Sequence, residues 1–384
     1  MKRVTLKLTT LVVLLGGAFT VANAQSKINV VTSAVPFLRI TPDARSGGMG
    51  DAGIATSPDA NSNFSNLAKT PFNSSKYGLA INYVPWLRDL AVNDVYLASL
   101  AGFYKIDDEQ AISASLRYFS LGSIQFTDNN GNDLQTYRPR EFAFDAGYSR
   151  KLSSKLGLAV ALRYINSNLA SGNLNGVNYK SGSSVAGDLH LYHHGAKENG
   201  EGFNWGVTLS NLGAKISYTS DATQKDFIPA NLGIGGAYTK VFDEDNKITF
   251  ALDLHKLLVP TPPAMGDSAG IAKYHNKGVV SSWVTSFGDA PGGISEEIQE
   301  VNAALGLEYW YNNQFAFRAG YFYENPSKGN RKFFSVGAGL KYNVFGLNFA
   351  YLFPSGSGTT RNPLSNTYRF GLVFDFDNNG GAKK

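Results

Sequence analysis

From about Lys76 to Phe376 the chain repeats one unit, roughly ten residues of strict apolar/polar alternation that often ends on an aromatic residue and is followed by a turn. In Lys247–His255, Ile248, Phe250, Leu252 and Leu254 share one face, and Thr249, Ala251, Asp253 and His255 share the other. Gln314–Tyr323 repeats the pattern, with Phe315 and Phe317 expected on the apolar face and Arg318 on the polar one. A soluble sandwich would use shorter strands and turn its apolar face inward. Strands of this length suit a tilted crossing of a bilayer, apolar side to lipid and polar side to a lumen. The pattern predicts an all-β membrane protein, a closed antiparallel barrel of about 14 strands. The expected strands are 76–84, 95–105, 110–120, 139–150, 155–166, 182–192, 202–212, 230–240, 247–258, 301–311, 314–323, 332–342, 345–353 and 366–376.

The connections alternate in length with the same parse. Short ones follow the even strands, such as Asn312-Asn313 and Asn343-Val344, and long ones follow the odd strands, the longest running from Val259 to Glu300. Outer-membrane barrels place short turns in the periplasm and long loops outside. This orientation puts both termini in the periplasm. The final strand, Thr367–Phe376, ends on an aromatic, as the terminal strand of an outer-membrane barrel does.

The first residues change the picture only by adding an export signal. Lys2, Arg3 and Lys7 precede a short apolar stretch, Leu11 to Phe19, and Ala22-Asn23-Ala24 reads as a cleavage site. Residues 1–24 are therefore read as a signal peptide, 25–72 as an N-terminal plug or hatch, 73–376 as the barrel and 377–384 as a periplasmic tail. The plug assignment rests on Pro36, Pro42, Pro58 and Pro71, several Gly, and the lack of alternation in Ser26 to Phe72. A barrel of this width needs such a filling to stay closed.

Composition agrees. Hydrophobic residues make up 43% and mean hydropathy is −0.17, a combination a membrane protein reaches only by alternation. There is no cysteine, which excludes disulfides and a lipid-modified cysteine. The formal charge is +5, but Lys and Arg are scattered along strands and turns with no basic run longer than two, so nucleic-acid binding is not expected.

Projected inward, the strands present Arg117, Asp145, Arg163, Asp188, Asp253, Glu308, Arg318, Lys341, Arg369 and Asp375 to the lumen. These are expected to pair across the interior, and the plug's Arg39, Asp43 and Arg45 are expected to meet them. Gly48-Met-Gly-Asp-Ala-Gly53 matches a dinucleotide fingerprint but lacks the βαβ context, so it reads as small residues packing a plug against the wall. His190, His193 and His194 have no carboxylate or thiol at ligand spacing and read as a solvated strand end. Asp128–Asp133 reads as a tight turn. No nucleophile motif occurs, so no enzyme activity, cofactor or metal is expected. Trp86, Leu87, Val279, Trp283 and Phe287 fall in expected outer loops as candidate partner anchors, with Leu257, Leu258 and Val280 beside the longest loop; the alternative for Trp86, Leu87, Trp283 and Phe287 is that they fold back into the loop's own small core or sit at the membrane girdle. The run Val279 to Thr285 reads as strand-like and fit to pair with a partner's sheet edge.

Taken together, the chain resembles the FadL-type outer-membrane transporters and, more closely, the PorV family of the type IX secretion system. The resemblance is carried by Pro36–Gly53, Ser57-Pro-Asp-Ala-Asn61, and Ser295-Glu-Glu-Ile-Gln-Glu300 leading into Glu308–Phe315. It departs from the superfamily at Asn66-Leu67-Ala68, where Asn-Pro-Ala is usual, which implies a looser kink before the first strand. The resemblance implies no cofactor and a protein that shuttles secreted cargo, bound through its C-terminal β-domain. It further implies handover from a giant translocon barrel to a PorU-like surface sortase for attachment to lipopolysaccharide. A passive channel for hydrophobic molecules is the alternative.

Overall fold

Alternation with period two leaves each strand one small or polar face and one greasy face, and in the computed structural model every expected strand forms. The structure describes residues 29–87, 93–128, 130–174, 176–220, 225–263, 266–355 and 366–376. The strands are β1 (Tyr77–Pro85), β2 (Val95–Lys105), β3 (Gln110–Leu121), β4 (Arg140–Lys151), β5 (Leu156–Asn168), β6 (Gly182–His193) and β7 (Gly202–Gly213). They continue with β8 (Asn231–Val241), β9 (Asn246–Leu257), β10 (Asn302–Tyr311), β11 (Phe315–Tyr323), β12 (Lys332–Tyr342), β13 (Phe345–Pro354) and β14 (Thr367–Phe376). Each pairs antiparallel with the next, and β1 closes on β14 from Tyr77↔Phe376 to Tyr83↔Phe370. Two small hairpins, Ile124–Thr127 with Asp133–Tyr137 and Gly172–Leu174 with Val177–Tyr179, extend the long loops.

The register follows the pattern. Phe250, Phe315 and Phe317 lie on the outer face, at 55%, 45% and 60% exposure, while Asp253 and Arg318 are buried inside. Near the long-loop end the outward aromatics touch across strands. Tyr83, Tyr96 and Tyr118 line up with ring centroids 5.6 and 6.2 Å apart, and Tyr321 meets Phe334 at 4.7 Å. Such girdles mark the bilayer interface. At the other end, Asn312 and Asn313 both take positive φ, the backbone that a tight primed hairpin turn demands.

The segment ahead of β1 runs down the inside of the barrel. It comprises a 3₁₀ turn, Pro36–Arg39, the short helices α1 (Ala44–Gly48) and α2 (Ser62–Ser65), and a second 3₁₀ segment, Leu67–Phe72. Its direction corrects one expectation. Asn29 N–H donates to Ser327 O at 3.0 Å and Ala34 N–H to Phe227 O at 2.9 Å, both in long-loop connections. The described start of the chain therefore lies at the extracellular end, and the plug descends to Phe72 before β1 begins at the periplasmic end. The expected signal peptide and the tail, 377–384, lie outside the described residues.

The longest loop is mostly helical, with α3 (Ser268–Asn276), α4 (Val279–Thr285) and α5 (Ile294–Gln299). The strand-like reading of Val279–Thr285 is thus overturned. Its β-branched residues suggested a strand, but Ser282 and Ser286 turn inward while Val280, Val284 and Phe287 fall at helical spacing on the outer face. Tertiary packing outweighs a β-propensity worth only tenths of a kcal/mol to about 1 kcal/mol.

Candidate functional site

Two features stand out once the chain is folded, the plug's attachment to the lumen wall and the outer face of the longest loop.

The plug meets the wall first through small residues. Gly50 has φ +67°, and a Cβ there would fall 2.6 Å from Tyr321 N and 2.7 Å from Leu305 O. Its own N–H donates to Ser335 Oγ at 2.9 Å. On the wall, Gly306 faces Met49, and a side chain at Gly320 would collide with the Gly50 backbone. The Gly-rich motif therefore lets backbone lie on backbone, with Met49, Ala52 and Ala55 packed against Ala251, Ala304, Phe322 and Phe333.

Charges complete the attachment. Arg45 donates to both oxygens of Glu308, at 2.9 and 2.7 Å, and from Nη1 to Asp59 at 2.9 Å. Arg318, opposite Glu308 in the β10–β11 register, adds a bond of 2.7 Å to the same carboxylate. Asp253 accepts from Gly53 N–H at 2.6 Å and Ile54 N–H at 2.8 Å. Arg369 bonds Asp51. Farther around, Arg163 bridges Asp145 and Asp188, with Ser115 donating to Asp145 at 2.8 Å. Arg117 donates to Leu38 O at 2.9 Å. Arg39 and Arg331 share Glu324, at 3.5 and 2.8 Å. Lys341 pairs with Asp375 at 3.2 Å, at the periplasmic end. Asp43 has another role, capping α1 by accepting from Ser46 N–H at 2.7 Å.

The histidine reading needs correction. His190 is not on a solvated turn. It faces inward, 4% exposed, and its Nδ1 accepts from Leu67 N–H at 2.9 Å. Leu67 stands where the superfamily has proline, and its N–H, which proline would lack, is the group His190 receives. His193 stacks on Trp205, 5.4 Å between centroids. Among the described residues no cluster of three His, Cys, Asp or Glu side chains is placed to hold a metal.

The expected anchors divide in two. Trp86 packs edge-on against Phe119 at 5.4 Å, and Leu87 lies against the cluster of Val35, Phe37 and Leu38, so both fold back onto the top of the plug. Leu257 and Leu258 are buried, and Val279 packs with Val31, Phe227 and Val259. Trp283 is half-buried. Phe287 is exposed, as are Val280 (67%), Val284 (72%), Ile294 (80%) and Ile298 (67%). Sequence reading missed Val284, Ile294 and Ile298, because only a helical period pairs Val280 with Val284 on α4 and Ile294 with Ile298 on α5. The loop is fastened below by Lys256 to Glu297 and Glu300, at 2.8 and 2.7 Å, and by Lys328 to Glu296 and Glu300, at 2.6 and 3.0 Å. Glu296 also accepts from the Asn29 side chain at 3.2 Å. The bond from Lys328 holds the Glu296 carboxyl below the usual carboxylate range.

Comparison with known proteins places this arrangement. The family model for type IX secretion system protein PorV matches residues 22–264, more than half of the chain. Among solved structures, the toluene transporter TbuX of Ralstonia pickettii aligns at 11% identity, covering 87% of this chain and 98% of its own, with a TM-score of 0.53. The monoaromatic hydrocarbon channel CymD aligns at 12% identity over 88% and 98%, with a TM-score of 0.50. At such identities the likeness is one of fold. No curated protein sequence matches the chain significantly.

Proposed function

The chain belongs to the type IX secretion system protein PorV family, and we propose that it is the outer-membrane protein that receives secreted cargo at the cell surface and carries it to the attachment machinery. It is an outer-membrane β-barrel of type IX secretion. In the proposed cycle the cargo's C-terminal β-domain docks on the outer loops as it leaves a giant translocon barrel. The complex then diffuses in the membrane to a sortase that joins the cargo to lipopolysaccharide. The protein contributes binding and no bond-making step.

The observation that carries this reading is the outward apolar face of the longest loop. Val280 and Val284 stand exposed on α4, Phe287 just beyond it, and Ile294 and Ile298 on α5, whose underside is pinned by buried ion pairs. Large apolar side chains held rigidly in the open are features of surfaces that bury a partner. Val279 packs beneath that surface with Val31, Phe227 and Val259, and Trp283 is half-buried in the same helix.

The second reading, a channel for hydrophobic molecules, draws on the structural neighbours, a toluene transporter and a monoaromatic hydrocarbon channel. Against it stands the lumen, crossed by a plug with at least three charged attachments and holding a cavity lined by Arg39, Arg117, Arg163 and Arg331. Gene deletion separates the readings. The shuttle reading expects secreted proteins to lose surface attachment and to accumulate unattached or in the periplasm. Intact attachment combined with slower uptake of an aromatic hydrocarbon would favour the channel.

A further inference from the structure

We propose that the lumen cavity beside the plug is a binding site for a small oxyanion, held by Arg117. The cavity has a volume of about 140 Å³, and Leu38, Phe64, Ser65, Arg117 and Ser210 are among its lining residues. That volume suits an ion of phosphate or carboxylate size and leaves no room for a long acyl chain.

Arg117 is a buried cation with no carboxylate in direct contact among the described residues. It is 4% exposed. Nη1 donates to the neutral Leu38 carbonyl, and the guanidinium lies over the Phe64 ring, 4.9 Å from its centroid. Its Nε finds no acceptor among the described residues. The carboxylates near it in the barrel, Asp145 and Asp188, are already taken. Both pair with Arg163, and their remaining bonds come from Ser115 and from Asn211 N–H. A buried guanidinium without a carboxylate in contact and with an unpartnered N–H is costly in a low-dielectric interior unless an anion joins it. The other acids lining the cavity lie away from Arg117: Asp51 bonds Arg369, and Asp253, six strands away around the ring, takes two backbone N–H groups on Oδ2 and has no partner on Oδ1 among the described residues. An anion in this cavity is therefore drawn to the Arg117 side, where a guanidinium presents several donors in one plane. There it would touch both plug and wall.

The test uses full-length protein purified in detergent. Its thermal midpoint is followed against sodium phosphate and, separately, sodium acetate, with ionic strength held constant by sodium chloride. The wild type is expected to show a saturable rise with at least one of the two, and the anion that saturates tells a phosphate site from a carboxylate site. Arg117→Gln should weaken that response at least tenfold. Arg117→Lys should keep part of it, and Arg150→Gln, an exposed cation beside a periplasmic turn, should keep all of it. Heat-modifiable migration on gels reports whether each variant forms the barrel. Should Arg117→Gln fail to assemble, calorimetric titration of the wild type and Arg117→Lys decides. No saturable binding to the wild type, or an equal response in folded Arg117→Gln, overturns the proposal.

Discussion

Arg45 on the plug and Glu308 on the wall meet through two parallel hydrogen bonds, 2.9 Å from Nε and 2.7 Å from Nη2, in a setting where Glu308 is 1% exposed. A guanidinium and a carboxylate matched in this way are geometrically specific, and removing one partner leaves the other charge buried and unpaired. Arg45→Ala or Glu308→Ala is therefore expected to destabilise the plugged state by about 3–5 kcal/mol. The checking measurement is the temperature at which the purified barrel loses its heat-modifiable gel form. A midpoint unchanged in both variants would show that the pair does not hold the plug.

Backbone contact between Gly50 and the wall makes a separate claim. Gly50→Ala puts a Cβ against Tyr321 and Leu305 and also strains a positive φ, so the plug must shift. In planar bilayers the wild type should stay closed, and Gly50→Ala should show frequent openings. Gly200→Ala is the control, since Gly200 has φ +86° but no atom within 4 Å of its would-be Cβ. Large steady conductance from the wild type would contradict a closing role for the plug, residues 29–72 of which are described.

The path of the plug predicts an unusual topology. Asn29 is bonded to the outer connection at Ser327. Cleavage after Ala24 would leave four residues before it, a reach of about 14 Å. The apolar band of a barrel is about 25 Å tall, more than that reach. An epitope tag placed after Gln25 should be stained by antibody on intact cells, and a tag after Lys384 only after permeabilisation. Equal protection of both tags would contradict this path.

Fastening of the outer loop should depend on acidity. Glu296 is held ionised by Lys328, so its folded-state pKa lies below the ordinary value. A carboxylate depressed in this way stabilises the fold above its unfolded pKa and loses that contribution as pH falls through the lower, folded value. Protection from hydrogen exchange in α5 and at the described amino end, taken relative to the intrinsic rate at each pH, should therefore fall below about pH 4.5, the ordinary value for Glu. Glu296→Gln should show the faster exchange already at pH 7. Identical exchange in the variant would remove Glu296 from the fastening.

Much of this molecule was legible because a barrel strand writes its two faces directly into the chain. Phe250 outside and Asp253 inside follow from period two alone, and loop lengths gave the orientation. The inward position of Arg318 and Glu308 was legible for the same reason. The plug's route was not, since a segment such as Val31–Arg39 has no period and its direction is set by partners some 200 to 300 residues away, such as Phe227 and Ser327. The outer helices were misread at Val279–Thr285 because β-branched residues raise strand propensity, whereas the spacing of Val280, Val284 and Phe287 fits a helix equally well. His190 was assigned to a turn by its neighbours in sequence, although its alternation with Leu189 and Leu191 places it inward.

The most direct test of the account is the affinity of the purified protein for an isolated C-terminal β-domain of a secreted substrate, compared between wild type and a variant carrying Val280→Ser, Val284→Ser and Phe287→Ala. These three residues are exposed, so the barrel should assemble with unchanged thermal stability. Loss of a central apolar anchor typically costs 2 kcal/mol or more, so binding should weaken by roughly 30-fold or more. Undiminished affinity in the folded variant would contradict the central claim that the outer loop is where cargo docks.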